Sequence, residues 1–392
     1  MEHSVILSAA RTPLGSFQGA LKTLRAPDLG AVALRAAVQR AGIDAGVLDE
    51  VIMGCVLTAA LGQSPARQAM LGAGIPESVG VLTVNRVCSS GLKAVMLADQ
   101  MIRCGDAQLL AAGGMESMTN APYCIPGARE GLRMGDAKLV DTMVCDGLWD
   151  FFTNQHMGSC ADMCAAKYGF TREAQDAFAK LSYEKARDAM AKGTFRDEIV
   201  PVELTDKKGK KSIVDTDEEP GRAQFEKMLT LKPSFTKDGT VTAANASGVS
   251  DGAAALIVAS ATYAKEKGLK PLARIVAHAG YSQAPEWFTT APVGAIRKTL
   301  EKAGLTPNDI DLWEINEAFS CVAMAAVKEY NLSMDRVNIH GGAVALGHPI
   351  GASGARILTT LLYGMKKTGA RRGLATLCNG GGEATALIVE II

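Results

Sequence analysis

The sequence predicts an α/β fold of two similar halves, with a segment of different character set between them. Three observations carry this. Arg40–Gly54 (RAGIDAGVLDEVIMG) and Lys302–Asn316 (KAGLTPNDIDLWEIN) align without a gap, sharing Ala-Gly, matched apolar positions and an Asp before a strand. At nearly the same distance downstream, Ser90-Gly91 and Ser353-Gly354 each open an apolar helix. Residues 109–116 (LLAAGGME) and 377–383 (LCNGGGE) then each end a buried strand. Helix and strand alternate in both halves, which implies mostly parallel sheets covered by helices.

The elements follow in order. Ala31, Leu34 and Val38 recur at helical spacing before the first block, as do Val293, Ile296 and Leu300 before the second. The helices after the Ser-Gly pairs run over 92–102 and 355–363, and strands are expected at 312–315 and 374–377. Residues 119–249 are richer in Met, Asp and Lys. They hold a helix with Thr171 as N-cap and a hairpin of 199–204 and 212–214 around a lysine-rich tip at 207–211. The small-residue stretch Ala244–Ala255 (ANASGVSDGAAA) is read as opening a helix. The division is therefore 1–118 with 250–270, an inserted 119–249, and 271–392.

Lys and Arg total 41 against 41 Asp and Glu, so no global charge invites nucleic acid or an anionic membrane. Nine cysteines, an odd number, lack the spacing of a disulfide framework. No signal peptide or transmembrane run is visible. The expectation is a cytoplasmic protein with free thiols. There is no Walker A sequence or dinucleotide fingerprint.

Three weakly charged, glycine-rich stretches hold the chemistry. Cys88 lies in Asn85–Val95 (NRVCSSGLKAV), just before a helix whose dipole favours a thiolate. A buried structural cysteine fits the same local features. His348 lies in Gly341–Gly351 (GGAVALGHPIG), nearly where Cys88 lies in the first half. Two packed, related halves would bring the two together as a Cys–His pair. Cys378 precedes Asn379 and Gly380–Gly382, whose N–H groups are free to meet an oxyanion. Asn316-Glu317 ends a strand, where α/β folds place site residues, and also suits a helix cap. Ser247 is placed to donate a hydrogen bond to an amide-bearing ligand. Cys160 and Cys164 stand at helical spacing without a partner pair for zinc, so no metal is expected. His3, His278 and His340 show no evident partners.

Taken together, the Cys88 block, Asn316–Phe319 (NEAF), Gly347-His348-Pro349 and Cys378-Asn379-Gly380 resemble the thiolase family, in its biosynthetic type, over essentially the whole chain. The resemblance implies two like halves layered α–β–α–β–α with an inserted loop domain. It implies acyl transfer that joins two acetyl-CoA into acetoacetyl-CoA and CoA, or the reverse thiolysis. By the family pattern Cys88 is the nucleophile, His348 activates it, and Cys378 is the base at the α-carbon. The N–H groups of Cys88 and Gly380 form one oxyanion hole. His348 and a water held by Asn316 form the second. Ser247, His156, Met157, Arg222 and Phe235 match the coenzyme A cradle. No cofactor is implied, and a homodimer or homotetramer is. Trp287-Phe288 departs from the Met-Gly of related short-chain enzymes, so either ring is a candidate for shaping the acyl pocket. A longer-chain 3-ketoacyl-CoA thiolase and a silent acyl-CoA-binding protein are the competing readings.

Overall fold

The structure, a computed structural model, describes residues 2–392. In the first half β1 (Ser4–Arg11), α1 (Ala26–Ala41), β2 (Glu50–Gly54), α2 (Pro65–Gly72), β3 (Gly80–Val84), α3 (Ser90–Cys104) and β4 (Leu109–Ser117) follow one another. The next segment holds α4 (Met157–Tyr168), α5 (Arg172–Ala191) and the hairpin of β5 (Val202–Thr205) and β6 (Lys211–Val214). The chain then adds β7 (Ser250–Ser260) to the first half. It continues through β8 (Ala273–Ser282), α6 (Ala291–Ala303), β9 (Leu312–Ile315), α7 (Ser320–Tyr330), α8 (Ser353–Thr368), β10 (Arg372–Asn379) and β11 (Glu383–Ile391).

The strands pair in the order β3-β2-β4-β7-β1-β8-β11-β10-β9. The two halves use one pattern, β3-β2-β4-β7-β1 and Val337-β9-β10-β11-β8, with Val337 making a single parallel bridge to Trp313. They join edge to edge through Val5–Arg274 and Ile6–Ala273. The expected mostly parallel sheet is corrected here. Of the eight pairings along this order three are parallel and five antiparallel. The reason is local: β10 and β11 are joined by the tight turn at Gly380–Gly382, which only an antiparallel pair can use.

A second correction concerns Ala244–Ala255, which does not open a helix. All eleven residues of β7 are buried between β1 and β4. Alanine favours helix in isolation, but burial in a sheet centre outweighs that weak preference. The hairpin is present with shifted bounds, because Ile199 bridges Arg11 instead of joining β5. Thr171 does cap α5, accepting from the Ala174 N–H at 3.2 Å.

Helices α3 and α8 form the middle layer. Leu92, Val95 and Ile102 of α3 and Leu358, Leu361 and Met365 of α8 share one core with Ile52 and Leu256 of the first half-sheet and Leu377 and Val389 of the second. Each such leucine contributes ~1.5–3 kcal/mol by leaving water. Leu29, Leu34 and Met70 of α1 and α2 cover the outer face of the first half. Ile296, Leu300 and Ala326 of α6 and α7 cover that of the second. Five layers result, α–β–α–β–α. Among the described residues no helix is long and apolar enough to cross a membrane.

Candidate active site

Cys88 sits at the end of a strained turn. Val87 has φ +45°, costly for a β-branched residue. The turn is held by its own polar groups. The Asn85 Oδ1 accepts from the Val87 N–H at 2.9 Å. The Ser90 hydroxyl accepts from the Arg86 N–H at 2.8 Å and donates to the Val87 carbonyl at 2.6 Å. Behind it the Ser89 hydroxyl donates to Asn379 Oδ1 at 2.6 Å, tying the loop to the end of β10.

The N-termini of α3 and α8 meet because glycine lets them. A Cβ on Gly91 would lie 2.8 Å from the backbone nitrogen of Ala355, and one on Gly354 would strike the backbone of Leu92. That contact brings the His348 loop to Cys88. The His348 Nδ1 lies 2.6 Å from the Ser353 hydroxyl. The Asn316 Nδ2 lies 3.4 Å from Nδ1 and 3.5 Å from Nε2, so it stands against the ring and singles out neither nitrogen. Asn316 caps no helix: α7 begins at Ser320, with Phe319 in the cap position.

Cys378 is the penultimate residue of β10 and fully buried. The next turns place Gly381 at φ +86° and Gly382 at φ +79°, conformations that favour glycine.

Cys88, His348 and Cys378 line one cavity of about 270 Å³. Its other walls are mostly apolar, among them Leu148, Val249, Phe288, Phe319 and Ile350. Burial governs the titration. It pushes the Cys88 thiol up to about 12, although the N–H groups of Cys88 and Gly380 at its sulfur pull the other way. It pushes Cys378 well above the usual thiol range, helped by the charge of Cys88. It lowers His348 to about 3, with Arg356 adding to the effect. Burial thus works against the thiolate expected at the helix N-terminus. At neutral pH the resting pair is thiol and imidazole.

His156, Met157, Phe235 and Ser247 line the same cavity. His156 stacks on Phe235 at 4.6 Å, and its Nδ1 accepts from the Gly158 N–H at 3.0 Å. Ser247 has a protein partner as well. Its hydroxyl donates to the Ala318 carbonyl at 2.9 Å, which leaves its oxygen free to accept. Arg222 lies apart, in a neighbouring surface pocket with Leu231, Ala243 and Ala244, 3.7 Å from Glu218. The loop from Ala243 to Ser247 runs from that pocket to the cavity. Phe288 lines the cavity, while Trp287 lies under the Lys167 ammonium at 4.3 Å.

Sequence reasoning missed several residues. Leu148, Val249 and Ile350 are ordinary apolar residues with no local signal. Glu116, buried without a cation, accepts from the N–H groups of Val56, Leu57 and Gly351 and so anchors the loop after His348. Burial raises it to about 7. His278, expected to lack a partner, pairs with Asp99 at 3.0 Å. Cys160 and Cys164 lie in the buried core of α4.

Two family models match the chain: the thiolase N-terminal domain over residues 4–262 and the thiolase C-terminal domain over 269–391. Acetyl-CoA acetyltransferases are similar throughout. That of Cupriavidus necator is 53% identical over 391 residues, covering 100% of both chains. That of Pseudomonas aeruginosa is 53% identical over 388 residues, covering 99% of each. In fold, the crystal structure of the Acat5 thiolase from Ascaris suum in complex with coenzyme A matches 100% of both chains, with a TM-score of 0.95 and 44% identity.

Proposed function

The chain belongs to the thiolase family, and on that premise we infer how its residues divide one reaction. It is an acetyl-CoA C-acetyltransferase: two acetyl-CoA are joined into acetoacetyl-CoA with release of CoA. The observation that carries the assignment of roles is the shared cavity of Cys88, His348 and Cys378.

In the first step the Cys88 sulfur attacks the acetyl carbonyl as its proton passes to His348. The oxyanion meets the N–H groups of Cys88 and Gly380, a contribution of roughly 3–4 kcal/mol per donor. The departing CoA thiolate takes its proton from Cys378. This follows from burial: Cys378 rests as a neutral thiol, and it must become a thiolate before it can act as a base. In the second step Cys378 takes a proton from the methyl carbon of a second acetyl-CoA. The enolate oxygen meets His348, now an imidazolium, and a water on Asn316. The enolate carbon attacks the acetyl-Cys88 thioester. Cys88 leaves as thiolate and recovers its proton from His348, which closes the proton balance. Every step falls to a protein group, so the scheme calls for no metal or cofactor.

His156, Met157, Phe235 and Ser247 hold the substrate arm next to the thiols, and Arg222 meets the more distant, charged part of CoA. Phe288 and Phe319 favour short acyl groups. A homodimer or homotetramer would give cover to the exposed apolar residues Tyr123, Leu132, Met134, Leu139, Phe151 and Phe152. Sedimentation should give two or four times the chain mass; a monomer at all concentrations would refute this. A cytoplasmic setting suits nine unbridged cysteines.

Labelled acetyl-CoA tests the roles. Wild type and Cys378→Ala should take up label near one per chain, and only wild type should form acetoacetyl-CoA. Cys88→Ala should take up none. Stoichiometric label on Cys88→Ala would remove Cys88 as nucleophile.

A further inference from the structure

We propose that Ser353 positions His348 by fixing which ring nitrogen carries the proton. The inference rests on His348 acting as the base for Cys88. With Nδ1 turned to Ser353, the nitrogen left for the cycle above is Nε2, which first accepts a proton and then donates from an imidazolium. Both states carry a proton on Nδ1, and that proton needs an acceptor. The Ser353 Oγ lies 2.6 Å from Nδ1 in a fully buried setting. Its own hydrogen has a separate place to go, the Pro349 carbonyl at 2.9 Å, in the loop just before the helix. Asn316 does not serve, because it turns its donor Nδ2 to the ring, nearly equidistant from both nitrogens, while its acceptor Oδ1 faces the Arg356 guanidinium at 3.5 Å. The Arg356 guanidinium, on the same helix, can only donate.

The repeat supplies an independent observation. Ser90 is the counterpart of Ser353 at the start of α3, and its hydroxyl does the same work. It donates back to the Val87 carbonyl and accepts from the Arg86 N–H, holding the loop of Cys88. Two matched serines, one at each of two packed helix N-termini, thus satisfy the loops that carry the nucleophile and its base. In the second half the accepting position has passed from a backbone N–H to an imidazole. Cys88, His348 and Ser353 then form a nucleophile, a base and an orienting group.

The test reads the tautomer directly. Long-range proton–nitrogen correlation on protein carrying isotope-labelled histidine, with His348→Gln to assign the signal, should show His348 protonated at Nδ1 and bare at Nε2. Ser353→Ala should mix the tautomers. It should also lower kcat for acetoacetyl-CoA thiolysis by ~10- to 100-fold, short of the full loss of a general base, with KM changed by less than about 3-fold. Ser353→Thr should restore both. A wild-type ring protonated at Nε2, or a Ser353→Ala protein that keeps the Nδ1 proton and its kcat, would overturn the proposal. The wild-type spectrum decides even if Ser353→Ala fails to fold. Failure of the parent reading would look different: His348→Gln would acylate at the wild-type rate, whatever the tautomer.

Discussion

A thiol ahead of a helix and a histidine beside it suggest an ion pair at rest, and burial of Cys88 and His348 opposes one. For the proton to move before substrate arrives, the imidazolium would have to be a weaker acid than the thiol. Burial places them in the opposite order, with His348 near 3 and Cys88 near 12. Activation therefore belongs to the acylation step, when the oxyanion donors and the base act together. The sign for pH follows. Below its raised pKa, the Cys88 thiolate fraction rises with pH, and His348 stays neutral over the same span. Alkylation of Cys88 by iodoacetamide should climb continuously from about pH 6 to about pH 10. A plateau beginning near neutral pH would mean a resting ion pair. At this scale the reacting side chains were legible, because cysteine and histidine in glycine-rich stretches stand out. Ser353 and Glu116 were not, because a serine and a glutamate acquire their roles only from what the fold places against them.

The repeat is an element-scale fact, and its chemistry survives in detail. Asp49 accepts from the N–H groups of Gln108 and Leu109 at the start of β4. Asp311, its counterpart, accepts from those of Arg371 and Arg372 at the start of β10. The aligned aspartates were visible in sequence, and their bonds show why each half keeps one. The reading of Ala244–Ala255 as a helix start failed for a reason that also lies at this scale. A strand buried on both faces shows no alternation, and short apolar runs look alike in helix and strand. The Ser-Gly pairs carry more than helix starts, since the glycines set the spacing of α3 and α8. Gly354→Ala should lower stability by about 3 kcal/mol in urea unfolding, because backbone cannot step aside as a side chain can. An unchanged midpoint would show that the two helices have room to separate.

At the scale of the molecule, two half-sheets meet at one edge and enclose a shared helical layer, which explains why one site draws on both ends of the chain. Cys88 comes from the first half and His348 and Cys378 from the second. His156 and Phe235 come from the segment between. That convergence was predicted from the repeat and from family resemblance, whereas the antiparallel majority of the sheet was not. Alternation of helix and strand says little about direction when two strands are joined by a tight turn. The molecule's central claim is that one buried cysteine carries the acyl group between two CoA thioesters. The direct measurement is loss of acetoacetyl-CoA, beside a longer 3-ketoacyl-CoA, with and without free CoA, in wild type and Cys88→Ala. The account predicts loss only when both CoA and Cys88 are present, faster for the short substrate. No loss in a folded protein that still binds CoA, or loss that persists in Cys88→Ala, would contradict it.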